Sequence, residues 1–116
     1  MAETETTMNT RRIGDEVAVI DIAGDVVPAT EDMLLEAYAK CEHTRGVVLN
    51  LTELAYMNSG GIGLLVTMLV RAQRSGQQLH AFGLSEHYRH IFQLTRLDET
   101  IRLHDTEQAA IAAAGD

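Results

Sequence analysis

Tyr56-Met57-Asn58-Ser59-Gly60-Gly61-Ile62-Gly63-Leu64-Leu65 is the stretch on which the reading of this chain turns. Thr52 to Asn58 reads as a loop held by two apolar anchors, Tyr56 and Met57, and from Ser59 onward apolar residues recur at helical spacing to Arg74. Three glycines in four positions at a helix start cost about 1 kcal/mol each relative to alanine, so something must offset them. Gly60 and Gly63 fall on one face with Thr67 next along it, and such a bare stripe lets a helix pack close to a sheet; Gly63 is therefore expected against the sheet. Either Asn58 or Ser59 can serve as the N-cap, a role that needs no further function. Ser59 is also a hydroxyl flanked by glycines at the positive end of a helix, where an added phosphate would meet free backbone N–H groups. The Gly61-x-Gly63 spacing lacks the third glycine of a dinucleotide fingerprint and the Gly-Lys-Ser/Thr of a P-loop, so nucleotide binding is only weakly supported.

Upstream, Gly46-Val47-Val48-Leu49-Asn50-Leu51 is a short β-branched run of the kind buried in the middle of a sheet. Residues 1–7 lack apolar periodicity and read as a disordered tail, with a single domain over 8–116. Met8 to Ile13, Gly14-Asp15 and Val17 to Ala23 read as a hairpin, after which Gly24 to Pro28 breaks the strand. Met33, Leu34, Ala37, Tyr38 and Cys41 predict a helix from about Thr30, its side-chain cap, to Cys41. Downstream, the helix from Gly60 to Arg74 is apolar almost all round its first turns and should be largely buried. A strand over Gln78 to Phe82 follows, then a helix capped by Ser85 with Tyr88, Ile91, Phe92 and Leu94 inward. A short strand at Ile101 to Leu103 leads to a last helix opened by the capping box Asp105 to Gln108. The order ββαβαβαβα predicts an α/β fold, a mostly parallel sheet with an antiparallel N-terminal edge strand.

With 116 residues, one domain is expected, and 46% hydrophobic residues is ordinary for a globular core. The 9 Lys and Arg against 17 Asp and Glu give a net charge of -8, which repels a phosphate backbone and argues against nucleic acid as partner. Aromatic residues are only 4%, too few for a base-stacking platform. The lone Cys41, the acidic start and the absence of an apolar run near the roughly 20 residues that span a bilayer make the chain read as cytoplasmic, with no direct membrane insertion.

The run Val47 to Leu51, a loop with an aromatic, and Asn58-Ser59-Gly60-Gly61-Ile62-Gly63-Leu64-Leu65 together resemble the signature of STAS domains, found in anti-sigma factor antagonists and sulfate transporters. The likeness continues through Gly76-x-x-Leu79, Gly83-Leu84-Ser85, Leu94-Thr95-Arg96-Leu97-Asp98 and Asp105 to Ala110, covering roughly Glu16 to Ala110. It implies a STAS-like fold and, by the antagonist type, a regulatory protein that is not an enzyme and takes no cofactor. In that family the first serine of the motif, here Ser59, is phosphorylated by an anti-sigma factor that is a serine-protein kinase. Phosphorylation releases the kinase, and a metal-dependent serine phosphatase restores binding. The family's motif aspartate is Asn58 here and its second serine is Gly60; its Gly-Glu-Leu-Asp is Gly24-Asp25-Val26-Val27. The expected partner face comprises Gly24, Asp25, Asn58, Ser59, Gly60, Gly61, Ile62, Leu84 and Ser85, because strand C-termini and helix N-termini gather on one edge of a parallel sheet. The alternative implied by the family is an adaptor or scaffold subunit, in a stress-sensing assembly or lipid transporter, without switching.

Other constellations carry less. His87, His90 and Glu86 share a helix face, but an exposed polar surface explains them better than a metal site. Cys41 reads as a core residue with no base to activate it, and Asp21 with Asp25 spans a strand end with no common pocket.

Overall fold

The computed structural model describes residues 5–116. Within these, five strands form one sheet in the order β1-β2-β3-β4-β5: β1 (Thr7–Ile13), β2 (Val17–Val26), β3 (Gly46–Met57), β4 (Gln78–Phe82) and β5 (Ile101–His104). β1 pairs antiparallel with β2, and the other three pairings are parallel. Four α-helices, α1 (Glu31–Ala39), α2 (Ser59–Arg74), α3 (Glu86–Leu94) and α4 (Glu107–Ala114), complete the expected order. Because the parallel strands stand in sequence order and each crossover is right-handed, α1, α2 and α3 must lie on one face of the sheet. The other face is left to α4.

The core divides accordingly. Ala18, Ile20, Ile22, Val47, Leu49, Leu79, Ala81 and Ile101 point to the three-helix side and pack with Leu34, Leu65, Met68 and Phe92. Alternate residues Val17, Val19, Val48 and Phe82 meet Ala110 and Ala114 of α4. Gly46 admits the end of α4, since a Cβ there would run into the Ala114 backbone.

Several boundaries differ from the sequence reading. Thr52 to Met57 is strand, not loop: β3 continues alongside the end of β2, through register shifts, until Met57 pairs with Val26. Main-chain pairing holds this segment, so Tyr56 anchors nothing and is 50% exposed, while Met57 is buried. β2 likewise passes through Gly24, whose φ of 99° an L-residue rarely adopts. The tail expectation for residues 1–4 lies outside the described residues, whereas Thr7 already opens β1 and the Thr6 hydroxyl donates to the Asp25 carbonyl at 3.1 Å.

Thr30 does not cap α1 through its side chain; its hydroxyl donates to Val27 O at 2.8 Å and closes the Pro28–Thr30 turn instead. In α4 the cap is Thr106, which accepts from Ala109 N, one residue later than the Asp105 box. Leu94 faces outward at 71% exposure, because at 100° per residue it falls well away from Tyr88 and Phe92. α2 is buried on one side only, through Gly61, Leu65, Met68, Leu69 and Ala72.

Candidate functional site

The carboxyl ends of β2 and β3 bring the distinctive motif to one edge of the sheet. Val26 and Met57 are paired there, and the chain enters α2 immediately after Met57. Asn58, in extended conformation, is the N-cap: its side-chain oxygen accepts from Gly61 N at 2.8 Å, and its carbonyl accepts from Ile62 N at 2.9 Å. Ser59 is therefore the first helical residue and is exposed, with no capping bond to make. The amides of Ser59 and Gly60 belong to the first turn, which has no helical acceptors, and the helix dipole adds positive potential at the same point.

The glycines have distinct jobs. A Cβ on Gly61 would run into the Val26 carbonyl, and one on Gly60 would come within 2.5 Å of Pro28 Cγ. The first turn of α2 is thus pressed onto β2 and onto the turn that opens α1. Gly63 is the correction: it is exposed, and a Cβ there would meet nothing within 4 Å. The expected stripe of Gly60, Gly63 and Thr67 does not face the sheet, and the close approach is made by Gly60 and Gly61.

The remaining expected residues separate into surface and support. Asp25 and Ile62 are half-buried near the same edge, Ser59 and Ser85 are exposed, and Asn58 and Gly60 are half-buried. Gly24 is buried, with Glu5 O 2.7 Å from where its Cβ would be, and Leu84 is buried at 8% exposure, so neither offers a side chain to a partner. Ser85 caps α3 by accepting from Tyr88 N at 3.3 Å, as its position before a helical run predicts. Tyr88 ties α3 to the motif, since its hydroxyl accepts from Met57 N at 2.8 Å. Pro28 and exposed Tyr56 were not singled out from sequence as site residues. The only signal for Pro28 was its place in the break after Gly24.

Elsewhere the candidates of the sequence fall away. Cys41 is fully buried, and burial pushes its thiol up to about 11, which keeps it un-ionised. Glu86, His87 and His90 lie exposed on α3, and among the described residues no group of three His, Cys, Asp or Glu is placed to hold a metal. Asp21 pairs with Arg11 at 2.6 Å and accepts from Asn50 Nδ2 at 2.8 Å; the Arg11 hydrogen bond holds its carboxyl below the usual range. That ties Asp21 into a cross-sheet network rather than a pair with Asp25. No helix among the described residues is long and apolar enough to cross a membrane.

Two polar features were not foreseen. At the opposite end of the sheet a groove of about 510 Å³ lies between α1 and α2, floored by Gln77, whose amide donates to Cys41 O and accepts from the Tyr38 hydroxyl at 2.6 Å. On the α4 face His80 is fully buried, with its Nδ1 2.9 Å from His104 Nε2 and its Nε2 3.2 Å from Gln78 Oε1. Burial, then His104 and Arg102, push its imidazole down to about 4.

Comparison with known proteins identifies the frame that carries this edge. The STAS domain profile matches residues 8–110. The chain is 31% identical over 90 residues to the anti-sigma-B factor antagonist of Listeria monocytogenes serovar 1/2a, covering 76% of this chain and 79% of that protein. Its fold matches an anti-sigma factor antagonist from Mycobacterium paratuberculosis with a TM-score of 0.79 at 21% identity, over 97% of this chain and 96% of the other. It also matches the antagonist SpoIIAA in its unphosphorylated form, with a TM-score of 0.68 at 20% identity over 92% and 96% of the two chains. With its five-stranded mixed sheet and the motif at the junction of β3 and α2, the chain belongs to the STAS domain family.

Proposed function

We propose that this chain is a regulatory binding protein of the anti-sigma factor antagonist type, whose docking to an anti-sigma factor is gated by phosphorylation of Ser59. One observation carries the reading: Asn58, not Ser59, caps α2, so the Ser59 hydroxyl is exposed at the helix start with no structural duty. The antagonists among its relatives support the general role. The docking face comprises Asp25, Asn58, Ser59, Gly60, Ile62 and Ser85, shaped from beneath by Gly24, Gly61 and Leu84.

A phosphate on Ser59 adds about -1.5 to -2 charges to a chain already at -8. In the free protein that charge sits at the positive end of α2 and is tolerated. In a complex it must be desolvated against the partner, which costs several kcal/mol when unpaired and lowers affinity about a thousandfold. The anti-sigma factor acts as the serine kinase, and a metal-dependent serine phosphatase resets the switch. Calorimetric titration of wild type, Ser59→Ala and Ser59→Asp against the anti-sigma factor kinase of the same host tests this, with thermal melts of all three. Ser59→Ala should bind like wild type and Ser59→Asp should not bind, at unchanged stability. Equal binding by the two variants would make the chain an adaptor without switching.

A further inference from the structure

One side of α2 is left without a packing partner among the described residues. Ser59, Val66, Val70 and Arg74 are exposed and lie along one outer line of the helix, with half-buried Ile62 at its margin. Val66 is 39% and Val70 40% exposed, and Gly63 lies beside them with open space over it. A glycine inside a helix weakens it, and nothing among the described residues packs close enough to Gly63 to require one. A second backbone or side chain seated over that position would.

The charge along this line is as unusual as its shape. No Asp or Glu occurs between Glu53 and Glu86, in a chain with 17 acids. Arg71 and Arg74 cluster at the far end of α2, and neither forms an ion pair among the described residues. At the near end, α1 presents Glu31 and Asp32 in its first turn, beside the contact of Pro28 with Gly60.

We infer that this face docks onto a second copy of the same chain, with the two α2 helices antiparallel about a two-fold axis close to Val66 and Thr67. Such an axis exchanges positions equally far from that centre: Val70 with Gly63, and Arg74 with Ser59. Each copy therefore offers a knob and a hole two helical turns apart on one line, and the contact is self-complementary, as an isologous interface must be. The axis lies in the interface and perpendicular to the helices, so the α1 side of one copy meets the α1 side of the other. Arg71 and Arg74 of one copy then come over Glu31 and Asp32 of the second copy, twice. A parallel arrangement would set arginines against arginines. The net charge of -8 opposes self-association at long range, and the acid-free line is where that repulsion is weakest. The dimer covers Ser59; the consequence, that self-docking competes with the anti-sigma factor and shields the phosphoacceptor, rests on the function proposed above, whereas the docking itself does not.

Sedimentation of the full chain from micromolar concentration to about 1 mM tests the inference without any partner, so its failure is separate from a failure of the switch. Wild type should show a monomer–dimer equilibrium. Gly63→Gln, which fills the hole from a position with free space, should weaken the dimer at least about tenfold while melting no lower than wild type. Arg71→Glu with Arg74→Glu should weaken it as well, as should Glu31→Arg with Asp32→Arg, and the four changes together should restore it. A chain that stays monomeric throughout overturns the inference. So does a dimer indifferent to Gly63→Gln and to both charge reversals, which would be built on another surface.

Discussion

The first turn of α2 is pressed against β2 and the Pro28 turn, whereas on the opposite side of the same helix Val66 and Val70 are exposed and Gly63 has free space around it. Glycine serves both regions for different reasons. At Gly61 its missing side chain lets the helix start touch the Val26 backbone; at Gly63 it leaves a hollow on the outside. The contrast teaches that a glycine-rich motif does not by itself identify a packing stripe: the direction of each Cα–Cβ bond decides, and two residues along a helix turn it by about 200°.

The strongest way to break this contrast is at its tight end. Gly61→Leu should lower stability by about 3 kcal/mol or more, because the Val26 carbonyl is backbone and cannot move aside as a flexible side chain would. Chemical denaturation measures it, and an unchanged midpoint would mean that the helix start is not seated on β2.

A second measurement separates α2 from the far face of the sheet. His80 is held neutral in the fold, with its imidazole pushed down to about 4 from an ordinary 6.5. The unfolded chain binds that proton more readily, so stability is fully present above about pH 6.5 and is lost as pH falls toward 4. Between pH 7.5 and 5 the loss from this group is about 2 kcal/mol. Asp21, held below the usual carboxylate range, loses its contribution only at lower pH, so the two windows are distinct. Denaturation at both pH values, repeated with Gly63→Ala, should give the same pH-dependent loss in both proteins, since no titratable group lies on the outer line before Arg74.

The cap of α2 gives a smaller effect. Asn58→Ala removes the acceptor for Gly61 N and should cost about 1 kcal/mol, read from a thermal melt. Ser59→Ala should cost nothing comparable, and an equal loss would return the capping role to Ser59. Smallest, and opposite in sign, is Gly63→Ala: with free space for its methyl group, it should raise stability by about 0.5–1 kcal/mol. A loss there would place Gly63 against a neighbour after all.

Much of this architecture was legible in the chain before any coordinates. Alternation in Val17 to Ile22, the β-branched run at Val47 to Leu51 and the helical spacing after Ser59 each report burial through local geometry, so the number, type and order of elements followed. The carboxyl-edge position of Asn58 and Ser59 followed too, because parallel strands joined by helices gather those junctions on one side. Residue type alone left Asn58 and Ser59 as equal candidates for the cap, and the backbone conformation at Asn58 separates them.

What the sequence determined by itself was the periodic part: which segments are strands or helices, and which motif stands at the carboxyl edge of the sheet. The tertiary structure decided everything that depends on a neighbour distant in sequence. Thr52 to Met57 carries no strong strand pattern and extends because the end of β2 supplies its pairing. Leu84 and Gly24 are closed off from the surface by other parts of the fold. His80 is neutral because burial removes water from it and, secondarily, because β5 brings His104 against it. Periodicity is a property of a few adjacent residues, whereas the depth of a side chain and the room around a glycine are set by whichever elements pack over them.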